Sequence, residues 1–235
     1  MQAQDITSEP GVLQHLSESF PEFWMLAVSA AAWLALFAQT LAPVHDSGVI
    51  ANWRHWMLMV LAMMLPLQIH GVRSTAERSL WPRRHRAILG FLFGYLAVWA
   101  LAGAVLSWTV VALSISHRIG WTLGAAIAFS IETVWLLSPW KQVAALMCHR
   151  TLPLSPDGWR ADRDCLNYGW IIGYGCAVNC WPLMLVCWLS GHSLSAMVLA
   201  FVLGWTDRHA GQDTRPRVIA AAVLATAFTV FSRIL

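Results

Sequence analysis

Charge is scarce in this chain. Asp, Glu, Lys and Arg make up 11% of its 235 residues and hydrophobic residues 58%, whereas soluble domains carry roughly a quarter charged residues. That shortage excludes an ordinary soluble domain and points to a polytopic membrane protein whose first partner is the lipid bilayer. The net charge of +3 could suggest nucleic acid, but the basic residues lie between apolar runs, where they orient a membrane protein rather than bind phosphate. Nucleic acid is therefore excluded as a partner. A basic leader is also missing: the segment before the first apolar run has no Lys or Arg and carries Asp5, Glu9, Glu18 and Glu22. A secretory signal begins with positive charge, so that run reads as a retained helix. The five cysteines are an odd number and at least three lie in apolar sequence, which argues against a disulfide framework and for thiols.

Catalytic patterns are absent too. The chain has no G-x-S-x-G elbow, no phosphate-binding loop, no H-E-x-x-H and no C-x-x-C-H haem attachment. Its histidines cluster near predicted helix ends rather than in pairs at mid-membrane, and no two halves match as inverted repeats would. The chain reads as a binding protein before an enzyme.

What is present is a series of apolar runs. Residues 1–22 form a polar N-terminal segment, and 23–235 form a single all-α transmembrane domain of about seven helices. These run approximately Phe23 to Leu41, Ala51 to His70, Ala87 to Ile115, Trp121 to Trp140, Tyr168 to Ser190, Ser193 to Trp205 and Val218 to Leu235. The links after the second, fourth and sixth runs hold five, four and three basic residues, 12 of the 15 in the chain. Cytoplasmic links are the basic ones, so the N-terminus is expected in the cytoplasm of a cell with this protein in its inner membrane.

The fifth run carries the most distinctive chemistry. Cys176, Cys180, Met184 and Cys187 follow at spacings of four, four and three, which on a helix places four sulfur atoms along one face. Soft sulfur ligands suit Cu(I). With direction fixed, a rise of about 1.5 Å per residue puts Cys176, Cys180, Met63, Met64 and Glu132 near the bilayer centre. Cys176, Cys180, Met63 and Met64 are the leading candidate ligands, with copper the favoured ion. Met184 and Cys187 continue the stripe outward, and Cys148 is a separate cytoplasmic candidate. Each feature also has an ordinary structural role: Met and Cys pack well in apolar interiors, and Pro182 kinks its helix by freeing the Val178 carbonyl. Glu132 stands apart because an ionisable group inside a membrane marks a functional site by default. Its structural alternative is a protonated carboxyl bonded to Ser130, Thr133 or a neighbouring carbonyl.

Several blocks together resemble a known family. Trp56-Met-Leu-Met-Val-Leu-Ala-Met-Met-Leu-Pro66 is similar to a W-x-x-M-x-x-A-M-M-x-P signature. Gly94-Tyr95 with Trp99, Ser138-Pro-Trp-Lys141 with Cys148, and Tyr168-Gly169 through Cys176, Cys180, Trp181 and Met184 to Gly191 and Met197 follow in order. The series resembles the predicted metal-binding integral membrane proteins, domain of unknown function 2182. The resemblance implies a helical membrane protein that binds metal, with no assigned reaction. Asn179 and Ala144 stand where the pattern has Cys, and Ser193 where it has Met. Those departures keep a second reading open, a non-catalytic subunit or anchor of a membrane complex with a degraded metal site. A membrane oxidoreductase ranks third.

Overall fold

The computed structural model describes residues 22–41, 48–113, 121–148, 150–155, 157–190 and 193–209, with 218, 219, 222, 223 and 226 beyond them. Among the described residues every regular element is helical. The N-terminal segment before Glu22, the links at 42–47 and 114–120, the Gly191-His192 turn and most of the expected last helix lie outside them.

Helix α1 spans Phe23–Leu41 and buries Met25, Ser29, Ala32 and Leu36, a stripe at helical spacing. The second expected helix is not one straight span. It divides into α2 (Val49–Met59), a π turn (Val60–Met64), a 3-10 turn (Pro66–Gln68) and α3 (Ile69–Arg78), with a bend of 44°. Pro66 is the cause, because it has no N–H to offer the carbonyl four residues back. That carbonyl belongs to Ala62, and the Ser29 hydroxyl donates to it at 2.9 Å. The Gln68 N–H turns to Leu65 O at 2.9 Å, which leaves the Met64 carbonyl for the Tyr95 hydroxyl at 3.2 Å. The break is thus sealed from two neighbouring helices. Much of the stretch expected as a polar link at 71–86 is helical, in α3 and in a 3-10 turn at Trp81–Arg83.

Helix α4 covers Arg84–Leu113, starting three residues earlier than expected. Helix α5 runs Trp121–Leu137, and after a break at Ser138 the chain re-enters helix as α6 (Pro139–Cys148). Pro139 sits at the first position of α6, where a missing N–H costs nothing. Much of the stretch expected as a polar link from Lys141 to Asp164 is therefore helical, in α6 and in α7, which spans Gly158–Leu189 and starts ten residues before Tyr168. Helix α8 is Leu194–His209, long enough to bring Asp207 onto the helix. Among the described residues three helices, α1, α4 and α7, are long and apolar enough to cross a membrane, and a fourth is added where the bent α2–α3 unit counts as one span.

The bundle is built around α7, which packs on α4 most extensively and also on α5, α6 and α8. The α4–α7 crossing is close because it is made of glycine. A Cβ on Gly169 would lie 1.9 Å from Phe91 O, and one on Gly94 would lie 2.1 Å from Leu166 O. Such small-residue contact lets two apolar helices approach backbone to backbone. It fixes the rotation of α7 and so the direction in which its sulfur stripe points.

Candidate metal centre

All eight candidate residues are buried: Met63, Met64, Glu132, Cys148, Cys176, Cys180, Met184 and Cys187 are each at most 5% exposed. The seven that carry sulfur belong to one core cluster, joined there by Met59 and Met197. All five cysteines of the chain are free thiols. Cys165, the one outside the stripe and its neighbours, lies against the Gly90 crossing.

The stripe does not meet one neighbour along its length. At its lower end the Cys176 thiol lies beside both Cys148 and Cys180, because α6 folds back along α7. Gly175 permits this: a Cβ there would lie 2.9 Å from the Met147 Cβ. Cys148, expected as a separate cytoplasmic site, is therefore part of the same thiol group as Cys176. The Tyr95 hydroxyl, which donates to Met64 O, also lies 3.2 Å from Cys176 Sγ, where either group can be the donor. Met64 thus meets Cys176 through its backbone and Tyr95, not through its sulfur.

Higher on α7 the partner changes. Cys187 Sγ approaches Met63 Sδ at 4.0 Å, so Met63 pairs with Cys187 rather than with Cys176 and Cys180. Trp56 and Trp188 belong to the same core, with ring centroids 5.8 Å apart, and the Trp56 indole donates to Trp99 O at 2.9 Å.

Beside Cys180 lies a buried polar cluster that the sequence reading did not assemble. Lys141, only 3% exposed, places Nζ 3.0 Å from Asp207 Oδ2 and 3.0 Å from Asn179 O. The Trp135 indole donates to the same Asn179 carbonyl at 3.3 Å. The carbonyl taken up beside Pro182 is thus that of Asn179, one residue on from the Val178 carbonyl expected. The Asn179 side chain donates from Nδ2 to Cys180 Sγ at 3.5 Å, while its Oδ1 has no protein partner. Glu132 answers to the charges of Lys141 and Asp207, and its Oε2 is buried without a hydrogen bond. It belongs to this ionic group rather than to the thiols.

Between the two groups is a cavity of about 20 Å³ lined by Cys148, Asn179, Cys180, Asp207 and Arg208 among others, room for about one water or one ion. Arg208 caps it, donating from Nη2 to Cys148 O at 3.3 Å. Among the described residues no three His, Cys, Asp or Glu side chains are grouped closely enough to hold a metal as a set. The thiols form a line with Cys176 in the middle. Two-sulfur and three-sulfur coordination by soft donors is the arrangement Cu(I) accepts, whereas a structural zinc site needs four ligands in a closed tetrahedron.

A family model described as copper chaperone, PpoB2, matches residues 53–231. The chain belongs to this copper chaperone family. No curated protein and no solved structure matches it significantly. The match includes every candidate ligand and all of the buried ionic group, and it leaves α1 outside. For a copper chaperone the ion is cargo, so a site must both capture it and release it. A line of thiols open to a small polar cavity meets that need better than a closed cage.

The residues missed at the sequence level are Asp207 and Arg208. Lys141 and Tyr95 stood in the resemblance without a role. The available signal was the buried position of Lys141 and Asp207 at the edges of apolar runs, since a charge in such a place requires a partner.

Proposed function

We propose that the protein is an integral membrane copper chaperone that carries Cu(I) on two thiols at a time, drawn from Cys148, Cys176 and Cys180. The observation that carries this reading is the position of Cys176 beside both Cys148 and Cys180, next to the buried Lys141–Asp207 pair. Cu(I) bound by two thiolates bears a net charge of −1, and such an anion is costly to bury unpaired. Arg208 lines the cavity with Cys148 and Cys180, and Lys141, paired with Asp207, sits on the Asn179 carbonyl next to Cys180. Asn179, standing where the family pattern has Cys, supplies an N–H to the Cys180 sulfur, and hydrogen bonds to a charged acceptor are the strong ones. Tyr95 orients Cys176 from the other side. In this reading Glu132 does not bind copper.

The same reading places the chain in a membrane as seven spans with its N-terminus in the cytoplasm. Beyond the helices of sufficient length, α4 turns Leu89, Phe93, Leu101, Val105 and Trp108 outward, each more than half exposed. Apolar surface of that extent needs lipid or protein to cover it. The arginine-rich α3 and Trp81–Arg83 turn then lie at the cytoplasmic face, where basic residues collect.

Purified in detergent and loaded with Cu(I) under reducing conditions, the wild-type protein should retain copper through desalting. Cys176→Ala, Cys180→Ala protein should lose the copper held by those thiols. Equal retention by the two proteins would overturn the reading and favour the alternative, a structural subunit with a relict site.

A further inference from the structure

We infer that the molecule has a second Cu(I) site, formed by Met63 Sδ and Cys187 Sγ with Met184 as third ligand. The proposal rests on the copper reading above and adds a position that the three-thiol group does not contain.

The geometry is the first argument. Two bonds of about 2.3 Å from one ion to sulfur span about 4.0 Å when the angle between them is near 120°. Met63 and Cys187 already stand at 4.0 Å. That angle belongs to three-coordinate Cu(I), so a third donor is required. Met184 is fully buried in the same core and lies one turn before Cys187 on the same face of α7. The π turn at Val60–Met64 also matters, because an extra residue in a helical turn re-aims the side chains that follow, and such turns recur at functional sites.

Separation is the second argument. Cys187 lies seven residues beyond Cys180 and eleven beyond Cys176, about 10 and 16 Å along the helix. One ion cannot serve both groups.

Charge is the third. Cu(I) on one thiolate and two thioethers is neutral, with the Cys187 proton released on binding and copper unchanged in oxidation state. Such a complex needs no counter-ion. Cys187 meets Met63 across the bundle and lies in the hydrophobic core that also holds Trp56 and Trp188. The lower thiols, which form an anionic complex, have Arg208 and the Lys141–Asp207 pair beside them. Each group of ligands sits in the electrostatic setting that its own copper complex requires.

The test counts copper per chain in detergent-purified protein loaded with excess Cu(I) and desalted. Wild type should hold two. Met63→Leu, Cys187→Ala protein should hold one, and Cys176→Ala, Cys180→Ala protein should hold one. Met63→Leu conserves volume, and an unchanged unfolding midpoint checks that the fold is intact. If that check fails, Met63→Leu alone is used, with at least a tenfold weaker second binding step expected. Wild type holding one ion, lost with Cys176 and Cys180 and unaffected at Met63 and Cys187, would overturn the second site and leave the first standing. Wild type holding none would overturn both.

Discussion

The two halves of the sulfur stripe lie on one helix and share one residue type, yet they have opposite surroundings. Around Cys176 and Cys180 are a buried ion pair, an amide, a phenol and an arginine, all hydrogen-bonded into α4, α6, α7 and α8. Around Cys187 are methionine and a hydrophobic core that holds two indoles. The contrast shows that a row of soft donors does not define a site by itself. What the neighbouring helices bring decides how much charge each sulfur can carry, and therefore which ligands can act as thiolates together.

Breaking the lower half through Lys141 should have the largest effect. Lys141→Met leaves Asp207 and the Asn179 carbonyl buried without their cation, a change that costs about 3–5 kcal/mol when one partner of a buried pair is removed. Thermal unfolding in detergent should show a clearly lowered midpoint. The copper that remains should be the portion sensitive to Met63→Leu. A Lys141→Met protein as stable as wild type would mean that the ion pair is not a structural lock.

A smaller effect is expected from Tyr95→Phe. It removes the hydroxyl that satisfies Met64 O and orients Cys176, worth about 0.5–1.5 kcal/mol for one hydrogen bond. Cu(I) competition with a chromophoric chelator should show weaker binding at the lower group by severalfold, with the Met63–Cys187 portion unchanged. Equal weakening of both portions would show that the two regions are coupled and not separate.

The smallest effect should come from a site remote from both. The Glu22 carboxylate pairs with Arg73, joining the start of α1 to α3. Burial pushes the Glu22 carboxyl up, but the Arg73 guanidinium outweighs burial and holds it below its ordinary value of 4.5. A carboxyl depressed in the folded state stabilises the fold above its unfolded pKa, and that contribution is lost as pH falls through the lower folded value. Arg73 is half exposed, so the contribution is limited to about 1 kcal/mol or less. Stability measured from pH 7 down to pH 3 should fall below about 4.5, and Glu22→Gln should flatten that fall without altering copper content at neutral pH.

Much of the fold was legible because it follows from hydropathy. The apolar runs became α1, α4, α5, α7 and α8 nearly where composition placed them, and the helical spacing of Cys176, Cys180, Met184 and Cys187 put them on one buried face. The break after Met59 was less legible, although its cause, Pro66, was in plain view. The chain around a proline can kink, stop or rearrange, and the outcome depended on Ser29 and Tyr95 reaching the freed carbonyls from helices distant in sequence. Pairing was the least legible. Depth alone grouped Met63 and Met64 with Cys176 and Cys180, because depth carries no information about rotation. The glycine crossing at Gly94 and Gly169 sets that rotation, and it directs Cys187 to Met63 and Cys176 to Cys148. The return of α6 along α7 was hidden because a short amphipathic helix with Lys141 in it resembles a polar link.

The central claim is that copper in this protein is held by sulfur alone. X-ray absorption at the copper edge of Cu(I)-loaded protein tests it most directly. The account predicts a spectrum fitted by two to three sulfur neighbours at about 2.3 Å and no nitrogen or oxygen shell. A first shell of nitrogen or oxygen would contradict it, since the ion would then sit on histidine or carboxylate side chains away from α7.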